Sequence, residues 1–325
     1  MALAVVDGEE KAQVSCNKNW GGIVMKSLRI LVFTMIMVFG FSTTSIYAEE
    51  KKVDGKTVHE VPTEKGATLA HTVKPETSPV SGSATVGVFN RYIFRGYELS
   101  NSSFVVQPAI SVSYRGFSAT LWSNIDSNVN GTQSVTNANY LSNTGKKDLN
   151  ETDFTLSYTY VIDKLSLTGG YIYYGTDYTA ETDEVFVTIA YDTLLKPTLS
   201  VYRDINEYGG TYFNLSIAHS FPVYKEITLD LGASAGYFAG SDDYWKTYQS
   251  STAAYTGKKY SAFHDGMLKA GFTIPIAKNV SVQPLAQYWF PLSNKAKKSV
   301  GGNSYNPNGK LDETLVTGIN LTLSF

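Results

Sequence analysis

The spacing of strand-like segments constrains the fold of this chain more than any other feature. From Ser83 onward the sequence is rich in Tyr, Phe, Val, Thr, Ser and Gly, which is the composition of β-strands and turns. About twelve segments have the length of a membrane-crossing strand. They run over 84–95, 103–114, 117–126, 152–162, 165–175, 184–192, 197–206, 211–221, 226–238, 261–275, 279–290 and 312–325.

The connections between these segments alternate in length. Every second connection is tight, as at 114–116 and 163–164, and the others include long stretches rich in Asn, Ser, Thr and Lys. The long stretches are 127–151, 239–260 and 293–311. A soluble sandwich has no reason to sort its loops in this way, whereas an outer-membrane barrel does. The sequence therefore predicts an all-β fold: a transmembrane antiparallel β-barrel of about 12 strands, with short periplasmic turns and long extracellular loops.

Apolar and polar side chains alternate with a period of two in the last segment, 312–325. Its apolar face carries Leu315, Thr317, Ile319, Leu321, Leu323 and Phe325. The last strand of a barrel pairs with the first, because lipid does not tolerate an unpaired strand edge. We therefore expect this segment to close the barrel, and Leu323 and Phe325 to form a signal for the barrel-assembly machinery.

Most other segments alternate in the same way, and we expect their apolar faces to contact outer-membrane lipid. Phe154, Leu156, Tyr158 and Tyr160 form one such face. Aromatic residues near segment ends are expected to form the girdles that meet the lipid headgroups. These residues are Tyr92, Phe94, Tyr171, Tyr173, Tyr174, Tyr288, Trp289 and Phe290.

A secretory signal peptide is predicted at 25–48. Lys26 and Arg29 supply its basic start, and a short apolar run and small residues follow. The apolar run is shorter than the roughly 18 residues that a transmembrane helix needs. Export through this peptide places the protein in the outer membrane of a Gram-negative-type bacterium.

The remaining N-terminal residues form two further parts. Residues 1–24 are interpreted as an upstream extension that is not native, so that Cys16, the single cysteine, is absent from the mature protein. Segment 49–82 is polar with scarcely an aromatic residue, and is expected to be a disordered periplasmic segment. The barrel is expected to occupy 83–325.

The polar partners of the apolar faces are candidates for the barrel interior, where opposite charges tend to pair because an unpaired buried charge is costly. They are Arg91, Arg95, Gln107, Asn124, Asp126, Asp153, Glu184, Asp204, Asn214, Asp230, Asp265, Lys269, Gln283 and Gln287. One interpretation is that most of them are structural pairs that fill and rigidify the barrel. The other is a polar constriction that selects small solutes by size and charge.

The sequence gives little support for catalysis, metal binding or nucleic-acid binding. His219 beside Ser220, and His264 beside Asp265, would point to opposite faces of a strand, so neither pair forms a catalytic unit. The histidines are too scattered for a metal site, and no basic block suits nucleic acid. We expect no enzymatic activity, no metal, no cofactor and no nucleic-acid partner.

Three short motifs open the barrel region. They are Tyr92, Phe94, Arg95 and Gly96, then Gln107, Pro108 and Ala109, then Gly116, Trp122, Ser123 and Asn124. Over 84–126 the sequence closely resembles the TorF-type porin family, also described as Gcw_chp conserved hypothetical outer-membrane proteins. One departure is at the C-terminus, where Asn320 stands at a position that is often glycine in closing strands, and Gly318 lies two residues earlier.

The resemblance implies an outer-membrane barrel and a pore, without implying a substrate. On this basis we expect passive diffusion of small hydrophilic solutes. In the motif itself, Gly96 would allow a sharp turn, and Arg95 could hold a carboxylate of the lumen. The alternative is a closed structural or surface-binding barrel that acts through its extracellular loops.

Overall fold

The computed structural model describes residues 59–62, 68–71, 80–100, 103–130, 145–177, 179–249, 252, 254–298 and 312–325. The predicted signal peptide and upstream extension lie outside them. The strands are, in chain order, β1 (His59–Pro62), β2 (Thr68–His71), β3 (Val80–Phe89), β4 (Tyr92–Phe94), β5 (Tyr97–Ser100), β6 (Val105–Tyr114), β7 (Phe117–Asp126), β8 (Asp148–Ile162), β9 (Leu165–Thr176), β10 (Thr182–Tyr191), β11 (Thr198–Asp204), β12 (Gly210–Tyr224), β13 (Ile227–Gly240), β14 (Lys246–Tyr248), β15 (Tyr255–Lys259), β16 (Ser261–Ala277), β17 (Val280–Pro291) and β18 (Thr314–Ser324).

Helical structure is sparse in the described residues. A 3₁₀ turn, η1 (Asp243–Trp245), and a single-turn helix, α1 (Asn294–Lys298), both lie between barrel strands. No described helix is long and apolar enough to cross a membrane. The strands β1 and β2 pair with each other within the segment 49–82, for which the sequence indicates little regular structure.

Twelve strands form a closed antiparallel barrel, in the order β3-β6-β7-β8-β9-β10-β11-β12-β13-β16-β17-β18. The closing pair is β18 with β3, in a register that runs from Gly318 opposite Phe89 to Ser324 opposite Ser83. The backbones of Phe325 and Gly82 exchange two further hydrogen bonds, of 2.9 and 2.7 Å. The predicted strand number and the predicted closing role of segment 312–325 are confirmed. A closed sheet leaves no backbone edge unpaired, which is what a bilayer requires.

The outer surface of the barrel is apolar. On β18, Leu315, Ile319, Leu321 and Leu323 are 45–53% exposed, whereas the intervening Asn320 is 5% exposed. The apolar face predicted on β8 is exposed in the same way. This alternation places apolar side chains toward lipid and polar side chains toward the lumen, so the fold is a transmembrane β-barrel.

Tight connections lie at one end of the barrel. Two-residue turns join β6 to β7, β8 to β9, β12 to β13 and β16 to β17, at 115–116, 163–164, 225–226 and 278–279. The opposite end carries the connections 127–147, 241–260 and 292–313, together with two five-residue loops. We call this opposite end the loop end. The predicted sorting of the long stretches to one end is confirmed.

The first barrel strand differs from its predicted course. The sequence predicts a strand over 84–95, but β3 ends at Phe89 and the chain then turns away from the wall. Asn90 ends the strand: its backbone N–H donates to Thr317 O at 3.0 Å, and its side-chain oxygen accepts from Thr317 N at 2.9 Å. The side chain therefore takes the place that the next backbone carbonyl would occupy.

Four of the eight predicted girdle residues do not face lipid. Tyr171 and Tyr288 are exposed on the outer surface. Tyr173 lies on the same face of β9 as Tyr171, and Phe290 lies on the same face of β17 as Tyr288. The prediction is wrong for the other four, whose side chains lie inside the barrel: Tyr92, Phe94, Tyr174 and Trp289. Tyr174 and Trp289 sit one strand position away from outward-facing aromatics, so their inward direction follows from alternation.

Candidate functional site

After β3 the chain folds into the lumen as a short hairpin made of β4 and β5, which we call the lumen hairpin. Its turn is Arg95-Gly96, with φ angles of 48° and 78°. Positive φ at both central residues is the mark of a two-residue type I′ turn, and glycine adopts it without strain. The turn Arg115-Gly116 at the other end of the barrel has φ angles of 48° and 89°. The same dipeptide therefore builds one turn inside the lumen and one outside it.

The base of the lumen hairpin is held by the wall from which it comes. The ring of Tyr92 lies 5.6 Å from the ring of Trp122 on β7, and the hydroxyl of Ser100 donates a hydrogen bond of 2.5 Å to Asp126. Tyr92 is 2% exposed, and it packs in an apolar cluster with Trp289. These contacts fix the hairpin at its start and at its end.

The tip of the lumen hairpin reaches the far wall. Around the barrel, four strands separate β3 from β10 in one direction and six in the other, so the two strands are nearly opposite. Arg95 nevertheless donates two hydrogen bonds to Glu184 of β10, from Nη1 to Oε1 and from Nη2 to Oε2, each of 2.8 Å. The hairpin therefore crosses the lumen.

The residues around Arg95 hold its guanidinium group in one position. Arg95 is 5% exposed, and Tyr174 donates a further hydrogen bond of 2.8 Å to Glu184. The guanidinium carbon lies close to three ring centroids: Phe94 at 4.7 Å, Tyr202 at 5.0 Å and Tyr212 at 4.6 Å. A bidentate carboxylate and aromatic faces are the partners that arginine geometry serves best.

A β-bulge brings two adjacent residues of β16 to the interior. His264 and Asp265 stand opposite the single residue Gly236, and both are fully buried. The expectation that this pair points to opposite faces is therefore wrong, because the bulge interrupts the alternation. The hydroxyl of Tyr212 donates to both Asp265 oxygens, at 3.0 and 3.1 Å, and the hydroxyl of Tyr260 lies 2.7 Å from His264 Nδ1. Tyr260 lies just outside the strand, and burial raises the pKa of its phenol.

The ten predicted pore-lining residues lie on inward-facing strand positions or on the segment that enters the lumen, and they separate into two groups. Near the loop end are Arg91, Arg95, Gln107, Asn124, Asp126, Asp153 and Glu184. Gln107 donates to Asn124 at 3.1 Å. Arg91 pairs with Glu98 at 3.3 Å. The structure thus gathers these residues around the lumen hairpin.

The second group contains Asp230, Lys269 and Gln287, which have no hydrogen bond or ion pair with the first seven among the described residues. Asp230 accepts hydrogen bonds from Thr273 at 2.6 Å and from Gln283 at 3.3 Å. Lys269 stands in register with Gln287 on the neighbouring strand. These three residues are not brought to Arg95, so the candidates do not form one ring.

Family-motif and assembly-signal residues occupy different surfaces. Trp122 faces inward against Tyr92, Gly96 completes the hairpin turn, and Pro108 lies within β6. Leu323 and Phe325 face outward at the end of the closing strand.

Sequence reasoning missed several interior residues. Glu151 is 2% exposed and shares its face with the predicted Asp153, so a start of β8 one residue earlier would have identified it. Glu98 is buried on the lumen hairpin; the sequence indicates the turn at Gly96 but not that the chain after it lies inside the lumen. Tyr202 and Tyr212 face Arg95 through a contact across the lumen, which a single sequence does not report.

Buried acids outnumber buried bases in the half of the lumen near the loop end. Seven carboxylates there are at most 6% exposed: Glu98, Asp126, Glu151, Asp153, Glu184, Asp204 and Asp265. The interior cations described in this half are Arg91 and Arg95. Formal acidic charges therefore outnumber formal basic charges among the described interior residues of this half.

A cavity of about 150 Å³ lies between the lumen hairpin and the far wall. The hairpin contributes Phe94, Arg95, Tyr97 and Leu99 to its lining, and the rest comes from β8 to β13 and from η1. We call this cavity the vestibule. It is bounded by aromatic rings and by three of the buried carboxylates.

His219 and His264 lie at different ends of the barrel. His219 is on β12, where its Nδ1 lies 2.6 Å from Leu194 O at the tight-turn end, whereas His264 lies in the lumen near the loop end. Among the described residues, no group of three His, Cys, Asp or Glu side chains is placed to hold a metal ion.

Fold and interior together define a twelve-stranded transmembrane barrel whose lumen is crossed, in the described residues, by the lumen hairpin. No family model and no curated protein matches the chain, so the resemblance to TorF-type porins stays a prediction. Among solved structures, the NanC porin is similar, with a TM-score of 0.44 and 8% identity, over 74% of this chain and 98% of that chain. An outer membrane channel from Pseudomonas putida F1 has a TM-score of 0.41 and 11% identity, over 78% and 100%. The translocator domain of the autotransporter NalP from Neisseria meningitidis has a TM-score of 0.38 and 7% identity, over 77% and 89%.

Proposed function

We propose that this protein is an outer-membrane channel for the passive diffusion of small hydrophilic solutes, and that the lumen hairpin forms its constriction. The observation that carries the proposal is a closed barrel with an apolar exterior and a polar, charged lumen. A lumen lined with polar and charged side chains suits the passage of hydrophilic solutes. The TorF-type motifs support the same function.

The lumen hairpin is the narrowing element because it crosses the barrel. A twelve-stranded barrel is intermediate between barrels filled by side chains and wide aqueous porins. A hairpin across such a lumen divides it, so solutes pass beside the hairpin. Arg95 holds the tip against Glu184 and thereby sets the width of the passage. Solutes are then selected by size and by charge.

The route to the membrane is part of the proposal. The signal peptide at 25–48 directs export, and the outward-facing Leu323 and Phe325 present the closing strand to the barrel-assembly machinery. The segment 49–82 stays on the periplasmic side. Outer-membrane lipid then surrounds the apolar exterior.

The test is single-channel conductance of the mature chain, residues 49–325, refolded and inserted in a planar bilayer. We expect discrete conductance steps. The variant Arg95→Ala releases the hairpin tip from Glu184, so it should show a larger conductance and a changed ion preference. The matched control is Arg115→Ala, which alters the same Arg-Gly turn at an exposed position outside the lumen.

Two outcomes would contradict the proposal. Equal conductance in the Arg95 and Arg115 variants would remove the hairpin from the constriction. No conductance from protein that is folded and inserted would favour the alternative, a closed barrel that acts through its extracellular loops. Folding is checked independently by the β-sheet circular-dichroism spectrum.

A further inference from the structure

The vestibule is a small, defined cavity. Its volume of about 150 Å³ is well below the roughly 300 Å³ of cavities that bind drug-sized ligands. An occupant therefore has the size of a single ring with a short side chain. Because the cavity lies on the loop-end side of the Arg95 contact, a solute entering from that end meets it before the constriction.

The charged groups of the vestibule favour a cation. Glu151, Glu184 and Asp204 line it, and Arg95 is the single cation among the described residues of its lining. Both terminal nitrogens of Arg95 are directed to Glu184. The formal charge of the described lining residues is therefore −2, from three carboxylates and one guanidinium.

The uncharged part of the lining favours an apolar or aromatic body. Tyr97, Tyr208, Phe238, Tyr244 and Trp245 all contribute to it. Trp245 is buried. Its Nε1 donates to Tyr208 O at 2.7 Å, and its ring centroid lies 4.1 Å from that of Phe238. Aromatic faces attract ammonium groups as well as hydrocarbon. A carbohydrate or a simple metal cation would use only part of this surface.

From this combination we infer that the vestibule is a binding site for small organic cations, with an ammonium group and an apolar or aromatic body. The ammonium group lies toward Glu151 and Asp204, and the body packs on the aromatic rings. The inference deepens the proposed channel function, on which it rests, by naming the class of solute that the loop end concentrates. It predicts binding in the absence of any current.

The experiment is isothermal titration calorimetry of the refolded mature chain in detergent micelles with phenethylammonium. 2-Phenylethanol and 3-phenylpropionate serve as neutral and anionic probes of similar shape. We expect affinity to fall in the order cation, neutral, anion. The variant Glu151→Gln, which keeps the shape of the side chain, should weaken phenethylammonium binding roughly tenfold, the equivalent of about 1.4 kcal/mol.

A second variant and a control keep the test independent of folding defects. Tyr244→Leu removes an aromatic face from a residue that is 47% exposed, so the barrel should tolerate it, and affinity for phenethylammonium should fall. The control is Asp243→Asn on the same turn. Lys246 donates a hydrogen bond of 2.6 Å to Asp243 and lowers its pKa, and Asp243 does not line the vestibule. Affinity should be unchanged in this control.

The outcomes separate the two proposals. If 2-phenylethanol binds as tightly as phenethylammonium, or if both Glu151→Gln and Tyr244→Leu leave the affinity unchanged, the vestibule is not a cation site. Binding with the expected order in a protein that does not conduct would support the site and contradict the channel. Conductance without phenethylammonium binding would support the channel and overturn the site.

Discussion

At the scale of residues, the ion pair between Arg95 and Glu184 is the contact with the largest consequence. Its two partners are 89 positions apart in the sequence, both are buried, and the two hydrogen bonds are 2.8 Å long. A buried charge left without its partner is strongly destabilising, because it has lost both water and its counter-ion. The pair therefore holds the tip of the lumen hairpin against the far wall.

We expect Glu184→Gln to lower the free energy of unfolding by about 3 kcal/mol, since it leaves the Arg95 guanidinium buried without a counter-charge. The double variant Arg95→Met/Glu184→Leu should cost less than the sum of its single variants, because both charges are then removed. The measurement is equilibrium unfolding of the barrel in liposomes by guanidinium, followed by tryptophan fluorescence. Strict additivity would show that the pair is not coupled.

Arg91 and Glu98 provide the internal control for this prediction. Their single contact is 3.3 Å long, and the Arg91 side chain is 30% exposed. A partly solvated pair of this kind contributes little, about 0–1 kcal/mol. Glu98→Gln should therefore change the free energy of unfolding far less than Glu184→Gln does, since Arg91 is partly solvated and keeps its contact with water. An equal loss in the two variants would mean that the burial of the remaining guanidinium does not determine the cost.

Alternation identified the polar residues of the lumen, because a closed sheet with one apolar face leaves the other face for polar groups. It could not identify which of them meet. The contact between Arg95 and Glu184 depends on a hairpin that leaves the wall, and the inward pair His264 and Asp265 depends on a bulge. Both are departures from the regular strand, which a period-two pattern does not contain.

At the scale of elements, Phe89 joins two features of the barrel. It precedes the lumen hairpin, and it lies in the pairing of β18 with β3, which we call the closing seam. The ring of Phe89, the last residue of β3, lies over Gly318 of β18 and over Gly87 of its own strand. A Cβ at Gly318 would overlap this ring and the carbonyl of Val88. Glycine is required at this position by close approach, so Gly318 has a role although the glycine pattern of closing strands is shifted here.

We expect Gly318→Ala to destabilise the barrel by roughly 1–3 kcal/mol, because an added methyl group must displace an aromatic ring and a backbone carbonyl. The control is Gly232→Ala on β13, another inward-facing strand glycine, where the nearest atoms would be 3.6 and 3.8 Å from the new Cβ. That variant should be neutral or slightly stabilising, since glycine is entropically costly in a strand. Thermal unfolding monitored by circular dichroism distinguishes them; equal midpoints would contradict the role given to the seam.

The lumen hairpin was not predicted, and the reason is physical. Residues 84–95 have the composition of a strand throughout, so they are predicted as one strand although Asn90 shares a face with Val88 and Tyr92. What ends β3 is the pairing of Asn90 with Thr317 of β18, a contact between residues 227 positions apart. Residue propensities are local, so they predict neither this contact nor the turn of the chain into the space inside the barrel.

At the scale of the whole molecule, the strand count and the sorting of loops could be predicted because they rest on local signals. Alternation marks each strand, and turn residues such as Asp163 and Lys164 mark each end. The path of the chain inside the lumen could not be predicted in this way, because it depends on contacts across the full width of the barrel. Exterior and interior thus differ in how far sequence determines them.

The orientation of the barrel gives a further prediction. No cysteine occurs in residues 49–325, so single cysteines can be introduced without background. Glu207→Cys lies in an exposed five-residue loop at the loop end, and Lys164→Cys lies in an exposed tight turn at the other end. We expect a membrane-impermeant maleimide to label the first variant in intact cells and the second only after permeabilisation.

Labelling in the reverse order would mean that the loop end faces the periplasm. Labelling of neither variant in intact cells, with both labelled after lysis, would place the protein away from the cell surface. The parent chain, which lacks cysteine over 49–325, is the control for non-specific reaction. Western blotting confirms equal amounts of the two variants.

The lumen hairpin also changes the mechanics of the barrel. A wall held together by hydrogen bonds between neighbouring strands resists shear, but it can flatten into an ellipse when the surrounding lipids press on it. Here two nearly opposite strands, β3 and β10, are tied through the interior by one short stretch of chain and one ion pair. Lateral pressure that alters the distance between them therefore acts directly on Arg95 and Glu184. The lumen hairpin therefore stiffens the cross-section of the barrel, and the ion pair at its tip bears the force that the bilayer exerts across it.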